Sequence, residues 1–201
     1  MPELWVVGGP NGAGKSSILR QLSPQGIEIV SPDTIALELG VDDTAAGRLA
    51  LAARKRLLFE GKSFCADTTF SGNSELGLLR SAKIREWSTS LIYVGVDNPG
   101  ISRARIRARV ARGEHDVPQR DVIRRFTRSQ DNLWRAFDIP DRVCVLDNTG
   151  PTHRVVLIAE MGKIVEMSSR MPGWLNIPVG IETPETPQED EIFLPSWMRR
   201  G

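Results

Sequence analysis

Short apolar runs alternate along the first 150 residues with longer stretches in which apolar residues return every three or four positions. The runs contain few polar residues, which is typical of strands buried on both faces of a parallel sheet. The longer stretches are typical of amphipathic helices that cover such a sheet. The predicted strands are residues 4–7, 27–30, 63–66, 91–96 and 142–146. The predicted helices are residues 15–22, 43–61, 74–87, 100–112 and 118–137.

This alternation predicts an α/β fold in which helices cover both faces of a mostly parallel sheet, giving three α/β/α layers. Several of the strands end in small or acidic residues, such as Gly8, Asp33 and Asp67. In open α/β folds the carboxyl ends of the strands form the edge of the sheet where ligands bind. We therefore expect the functional site at that edge.

The pattern changes after Gly150, where residues 155–159 and 163–167 resemble two short strands. We predict a main α/β domain at residues 1–150, a small C-terminal β extension packed on it at 151–181, and a Pro-rich, acidic, flexible tail at 182–201. The apolar residues 193–197 suggest an alternative, in which the tail docks on its own subunit or on another one.

The charges of the chain are nearly balanced, with 26 Lys and Arg against 25 Asp and Glu and a net charge of +1. Such a balance gives no general attraction to nucleic acid or to a membrane surface. No apolar run resembles a signal peptide or a membrane span. We therefore expect a soluble, cytoplasmic protein that binds neither membrane nor nucleic acid. Cys65 and Cys144 lie in apolar runs, which predicts buried thiols rather than a disulfide or a zinc site.

Four glycines in seven residues follow the first predicted strand, and Gly9 begins a stretch that reads GPNGAGKS. This stretch satisfies G-x-x-x-x-G-K-[ST], the P-loop, and it lies between a strand and a helix as a P-loop should. The glycines let backbone N–H groups turn toward phosphate oxygens, and the helix start favours the same anion. Lys15 should reach the β- and γ-phosphates of ATP, and the Ser16 hydroxyl should bind Mg²⁺. The predicted nucleotide-binding residues are Gly9, Pro10, Asn11, Gly12, Ala13, Gly14, Lys15, Ser16 and Ser17.

A P-loop leaves the fate of the γ-phosphate open among GTPases, ATPase motors and small-molecule kinases. The chain has no N-K-x-D stretch and no signature helix of a transport ATPase, which favours an ATP-dependent kinase. Asp33 follows the second predicted strand and could accept the proton of an attacking substrate hydroxyl. Its structural alternative is a helix start, because Ser31 and Pro32 precede it.

Asp67 ends the third predicted strand and offers a second carboxylate near the P-loop. Two functional roles are open for it, since it could contact the substrate or hold Mg²⁺ through water as a Walker-B acid does. Its structural alternative is to cap a helix.

Arginine supplies 21 of the 26 basic residues, and nine of these lie between positions 103 and 128. Successive helical steps of about 100° spread such residues around the axis, so that most of them should face solvent. Arg109 and Arg112 lie nearest Gly113, which we predict to be a hinge, and are our candidates for stabilising the transferred phosphoryl group. Arg124 and Arg125 are the second choice.

Together these residues resemble the zeta-toxin family of P-loop kinases over about residues 4–150. The resemblance rests on five segments in order, which are residues 8–17 (GGPNGAGKSS), 31–36 (SPDTIA), 67–72 (DTTFSG), 109–118 (RVARGEHDVP) and 123–126 (IRRF).

This resemblance implies an ATP-dependent kinase that phosphorylates a sugar hydroxyl of UDP-N-acetylglucosamine and is often neutralised by a small antitoxin protein. It implies that Asp33 is the base, that Lys15 binds the nucleotide, and that lid arginines lie within residues 109–125. The implied acceptor contacts are Asp67, Thr68 and Thr69.

The chain departs from the family at Asp67, where the family usually has glutamate. Two other functions therefore stay open beside the zeta-type kinase. One is a kinase of another small hydroxylated molecule, and the other is an ATP-binding regulatory module with little turnover.

Overall fold

The computed structural model describes residues 1–22, 27–111, 118–187 and 192–198. The strands are β1 (Glu3–Gly8), β2 (Glu28–Val30), β3 (Phe64–Thr68), β4 (Ser88–Gly95), β5 (Arg142–Asp147), β6 (Arg154–Glu160) and β7 (Lys163–Met167). The helices are α1 (Lys15–Leu22), α2 (Pro32–Leu39), α3 (Asp43–Glu60), α4 (Ser74–Ile84), α5 (Pro99–Val110) and α6 (Gln119–Ala136), followed by a 3-10 turn at Ser196–Met198.

These strands form one sheet in the order β2-β3-β1-β4-β5-β6-β7. The first five are parallel, whereas β6 and β7 are antiparallel. The predicted α/β fold with a mostly parallel sheet and a small C-terminal extension is confirmed. Because β1 lies between β3 and β4, Gly8 at its carboxyl end has Thr68 on one side and Tyr93 on the other.

Alternate residues of the strands face two separate cores, one on each side of the sheet. In β1, Leu4 and Val6 belong to a core closed by α3, α4 and α6. Trp5 and Val7 belong to a second core, closed by α1 and by residues 192–198. The continuous apolar runs of the sequence are explained by this burial on both faces.

Helix α2 and the start of β4 differ from the sequence-based expectation. Only Ala36 is buried in α2, so that the helix has too narrow an apolar stripe to be recognised from its pattern. β4 begins three residues earlier than predicted, because the polar residues from Ser88 to Ser90 pair with β1. None of the helices in the described part of the chain combines the length and apolar character needed to cross a bilayer.

The residues after 150 extend the sheet and then return to it. β6 and β7 are joined by Met161 and Gly162, which both have positive φ angles, as a tight hairpin turn requires. Farther on, Trp174 packs so closely over Gly95 that a Cβ atom there would lie 2.2 Å from the indole. Its indole N–H donates a 2.9 Å hydrogen bond to Asp147.

Part of the predicted tail lies against the second core. Ile192 pairs with Val155, and the Trp197 ring lies 5.8 Å from the Trp5 ring. Apolar side chains at these positions explain the contact, although the sequence favoured a flexible tail over a docked one. Residues 188–191 and 199–201 of that tail lie outside the described residues, and the proposed division into three segments stays a prediction.

Candidate active site

The P-loop connects β1 to α1 and packs tightly against its neighbours. Gly9, Gly12 and Gly14 have φ angles of 147°, 74° and 100°, which L side chains rarely adopt. A Cβ atom at Gly9 would lie 2.1 Å from the Val94 carbonyl oxygen, and one at Gly12 would lie 2.5 Å from that of Ser102. The glycines are therefore required both by backbone conformation and by the approach of β4 and α5.

Lys15 begins α1, and its ammonium group folds back over the P-loop. Nζ donates hydrogen bonds to the carbonyl oxygens of Gly9 (2.9 Å) and Pro10 (3.3 Å). Burial lowers the pKa of this ammonium, while the charges of Asp67 and Asp33 oppose that effect. Both carboxylates are thus electrostatically coupled to the P-loop lysine.

An asparagine from the distant β5 end braces the P-loop, and sequence reasoning missed it. The Asn148 amide donates a 2.7 Å hydrogen bond to the Ala13 carbonyl oxygen. A Cβ atom at Gly14 would lie 2.2 Å from the same amide nitrogen. Arg105 in turn donates a 2.7 Å hydrogen bond to the Asn148 carbonyl oxygen. The sequence did contain one indication of this role, because Asn148 follows a predicted strand and so lies at the edge of the sheet where ligands bind.

A cavity of about 730 Å³ opens beside the P-loop and extends toward α2 and α3. Asp33, the second residue of α2, lies on its wall and is exposed to solvent. Lys15, Thr68 and Thr69 line it as well. Its volume lies within the roughly 300–1,000 Å³ typical of small-molecule sites.

Asp67 sits directly beside the P-loop strand, since it pairs in register with Val7. The Ser31 hydroxyl donates a 3.0 Å hydrogen bond to Asp67 Oδ2, so that Ser31 does not cap α2 with its side chain. Asp67 is only 8% exposed, and its Oδ1 has no hydrogen-bond partner among the described residues. Asp67 lines the cavity, and one of its carboxylate oxygens is thus buried there without a partner among the described residues.

A buried ion pair between Arg54 and Glu75 lies next to Asp67, and it was not identified from the sequence. Arg54, on α3, donates a 2.6 Å hydrogen bond to the Asp67 carbonyl oxygen and lies 3.5 Å from Glu75. The Thr68 hydroxyl donates to Glu75 (2.7 Å) and accepts from the Phe70 amide (3.0 Å). Because both roles of this hydroxyl are satisfied internally, Thr68 is better placed to support the site than to bind a substrate.

Two of the predicted arginines line the cavity, and they lie on α5 and α6. Arg109 comes from α5 and Arg125 from α6, and both lower the pKa of Lys15 through their positive charges. Arg125 also donates a 3.4 Å hydrogen bond to Asn11 in the P-loop. Arg124 is exposed and pairs with Asp121 instead. Arg112 lies outside the described residues.

Comparison with known proteins gives one family match and one related sequence. The profile of the AAA_33 family, an AAA domain, matches residues 4–133. An uncharacterised protein of Haemophilus influenzae is 31% identical in an alignment over 135 residues that covers 61% of this chain and 95% of that protein.

Solved structures with a similar fold are more distant in sequence. A crystal structure of AvrRxo1-ORF1:-ORF2 with ATP matches with a TM-score of 0.64 and 17% identity, over 82% of this chain and 60% of that one. A structure of the PezAT chromosomal toxin–antitoxin system of Streptococcus pneumoniae matches with a TM-score of 0.53 and 20% identity, over 74% of this chain and 69% of that one. This chain therefore spans less than two thirds of the AvrRxo1-ORF1:-ORF2 chain, and the likeness concerns the P-loop kinase-like fold.

Proposed function

Since the chain belongs to the AAA_33 family and has a P-loop kinase-like fold, we propose that it is an ATP-dependent phosphotransferase with a small-molecule hydroxyl as acceptor. The observation that carries this proposal is the cavity beside the P-loop. Lys15, Asp33, Arg109 and Arg125 surround one space that is large enough for a second substrate. Simple hydrolysis of ATP would need room only for water.

The nucleotide would lie on the residues from Gly9 to Ser17, where the backbone amides and the start of α1 favour phosphate. Mg²⁺ fits this site because the hydroxyl of Ser16, the second residue of α1, is exposed there, and a P-loop serine is a usual Mg²⁺ ligand. Bound Mg²⁺ neutralises part of the negative charge on the phosphates.

Asp33 would act as the base that accepts the proton of the acceptor hydroxyl. The acceptor oxygen then forms a bond to the γ-phosphorus, the bond from that phosphorus to the β–γ bridging oxygen breaks, and ADP leaves. Lys15, Arg109 and Arg125 would stabilise the negative charge of the transferred group. A carboxylate is sufficient for this role, because an aspartate accepts the proton of the substrate hydroxyl in the protein kinases.

For the acceptor we propose a UDP-activated amino sugar, UDP-N-acetylglucosamine. Support comes from the resemblance to zeta toxins, from the similarity to the PezAT structure, and from a cavity of about 730 Å³. Asp67 would bind the acceptor through its free oxygen, with Thr69 on the same wall.

The test is mass spectrometry of the protein incubated with ATP, Mg²⁺ and a panel of UDP-sugars and other polyols. We expect one phosphate to be added to UDP-N-acetylglucosamine, and this gain to disappear in Lys15→Ala and Asp33→Asn. Glu38→Gln is the matched control, because Glu38 is an exposed acid on the same helix as Asp33 and does not line the cavity.

Phosphate transfer to a different acceptor would replace the sugar but keep the kinase. ATP binding without transfer to any acceptor would favour a regulatory module instead. Full activity of Asp33→Asn would refute the role of Asp33 as base.

A small antitoxin protein is the partner that we propose, and the cytoplasm is the proposed location. The AvrRxo1-ORF1:-ORF2 and PezAT structures support such a partner, since both pair two proteins. Expression of the chain alone should then slow bacterial growth, and expression of Lys15→Ala should not. Equal growth of the two cultures would argue against toxicity and so against the need for an antitoxin.

A further inference from the structure

The loop that follows β3 forms one wall of the cavity and has an unusual backbone. Thr69, Ser71 and Gly72 line the cavity. Between them Phe70 has a φ angle of +55°, in the left-handed region that a bulky side chain rarely adopts. Such a conformation persists only where surrounding contacts impose it, and it is common at functional sites.

The Phe70 side chain ties this loop to the P-loop. Phe70 is fully buried, and its ring packs edge-to-face on Tyr93 at 6.1 Å. A Cβ atom at Gly8 would lie 2.9 Å from the Phe70 ring. The ring therefore fills the space beside Gly8, the residue that immediately precedes the P-loop. The loop on the acceptor side and the nucleotide loop thus share one buried side chain.

Asn132, on α6, holds the loop from the opposite side. Its amide nitrogen donates hydrogen bonds to the carbonyl oxygens of Phe70 (3.1 Å) and Gly72 (2.8 Å). Its Oδ1 accepts a 2.9 Å hydrogen bond from Arg135. Asn132 is 3% exposed. Its bond to Phe70 is buried, whereas its bonds to Gly72 and Arg135 are partly buried. The NH₂ group of an asparagine carries two hydrogen-bond donors. The Asn132 side chain can therefore bind both carbonyl oxygens at once.

The same helix carries Arg125, seven residues before Asn132. Seven residues are close to two turns of an α-helix, and the two side chains therefore lie on the same side of α6. Arg125 reaches Asn11 in the P-loop, whereas Asn132 reaches the cavity wall. The same helix thus contacts the P-loop through Arg125 and the cavity wall through Asn132.

We propose that Asn132 is a positioning residue for the acceptor. It fixes the strained loop at residues 69–72 through two carbonyl groups and does not itself reach into the cavity. The proposal rests on the proposed kinase function, because it needs an acceptor in this cavity. It goes beyond that function in assigning acceptor alignment to a side chain outside the P-loop, the base and the lid arginines.

The test compares two Asn132 variants with a matched control on the same helix. Asn132→Asp keeps the shape but turns a carboxylate toward two carbonyl groups, and Asn132→Ala removes the donors without adding repulsion. Ser129→Ala is the control. Ser129 is fully buried and accepts a 3.1 Å hydrogen bond from Tyr93, so that this change also removes one buried hydrogen bond of α6 but none to the loop.

The first measurement, made without nucleotide, is hydrogen–deuterium exchange of the Phe70 amide, which donates a buried 3.0 Å hydrogen bond to the Thr68 hydroxyl. Both Asn132 variants should exchange there at least about tenfold faster than the wild type, as expected when a buried hydrogen bond is lost. Ser129→Ala should change this exchange less than either Asn132 variant does, because it leaves Asn132 bonded to the carbonyl groups of Phe70 and Gly72 and reaches the loop only through the packing of Tyr93 on Phe70.

The second measurement separates acceptor from nucleotide. With ATP and UDP-N-acetylglucosamine, Asn132→Ala should raise the acceptor KM about tenfold while the Kd of a fluorescent ATP analogue stays within about twofold. Unchanged loop exchange in both variants would overturn the proposal, and so would an equal loss of ATP affinity. If the wild type phosphorylates no acceptor, the proposed function fails, and the exchange result still decides whether Asn132 holds the loop.

Discussion

Removing the buried guanidinium of Arg54 should be among the most damaging single changes in the chain. Arg54 is 4% exposed and lies between the carbonyl oxygens of Asp67 (2.6 Å) and Val30 (3.4 Å) and the carboxylate of Glu75 (3.5 Å). Arg54→Met keeps most of the aliphatic volume but leaves a buried carboxylate without its cation. It also leaves the Asp67 carbonyl group without this donor.

The expected cost follows from that uncompensated charge. Removing one partner of a buried ion pair costs about 3–5 kcal/mol, out of a total stability of about 5–15 kcal/mol. The double variant Arg54→Met/Glu75→Gln removes both charges. It should therefore be more stable than the sum of the single changes predicts, by about 0.5–3 kcal/mol.

The assay is urea unfolding followed by tryptophan fluorescence, with the free energy of unfolding extrapolated to water. The matched control is Arg56→Met on the same helix. The Arg56 side chain is 62% exposed and lies 3.9 Å from Glu60, so that its loss should cost less than about 0.5 kcal/mol. The reasoning is refuted if Arg54→Met costs no more than Arg56→Met, or if the double variant is simply additive.

Three further predictions concern the P-loop, the thiols and the acid range. Gly14→Ala should weaken binding of a fluorescent ATP analogue at least about tenfold. The reason is that Gly14 has a φ of 100° and the new Cβ would lie 2.2 Å from the Asn148 side chain. Unchanged affinity would show that Asn148 moves aside at little cost. Both cysteines are buried and unpaired, and burial raises the pKa of the Cys65 thiol to about 12. A thiol reagent should therefore label two groups rapidly in urea but neither in the native protein at pH 8, and fast native labelling would contradict this burial. Burial alone would raise the pKa of Asp141, but hydrogen bonds, first of all that from Lys83, outweigh it and hold the pKa below its ordinary value. Because the pKa of Asp141 is lower in the folded state, its ionised carboxylate stabilises the fold at pH values above the unfolded pKa of about 3.9. Asp141→Asn should therefore lower the urea midpoint of unfolding at pH 7, and the difference in midpoint from the wild type should shrink below about pH 4. A difference that persists undiminished at pH 2 would exclude this linkage.

The fold and the outline of the site follow from local pattern. The P-loop motif places a phosphate cradle after the first strand, and parallel strands bring Asp33 and Asp67 to the same edge. In the structure both carboxylates line the same cavity as Lys15 and Arg109. These features could be predicted because each depends on a short segment and on a general property of parallel sheets.

The supporting residues could not be found in the same way, because their partners are distant in sequence. Asn148 lies 135 residues from Ala13, and Asn132 lies 60 from Gly72. Arg54 did carry a signal. It follows Ala50 at the helical spacing that marks the buried side of α3, so a charged residue there needs a buried partner. The partner itself, Glu75 on α4, becomes evident only from the packing of two helices.

The hydrogen bond from Asn148 to the P-loop also shows which part of the chain is needed for the site. The family match ends at residue 133, yet Asn148 holds Ala13 and Trp174 binds Asp147, the residue before that asparagine. A chain cut at residue 133 would lose β5 and with it the amide that fills the space beside Gly14. The P-loop thus consists of residues 9–17, but it contacts residues beyond the matched region. If the loop binds ATP as we propose, we therefore expect changes at Asn148 to alter the affinity for ATP although this residue lies outside the motif.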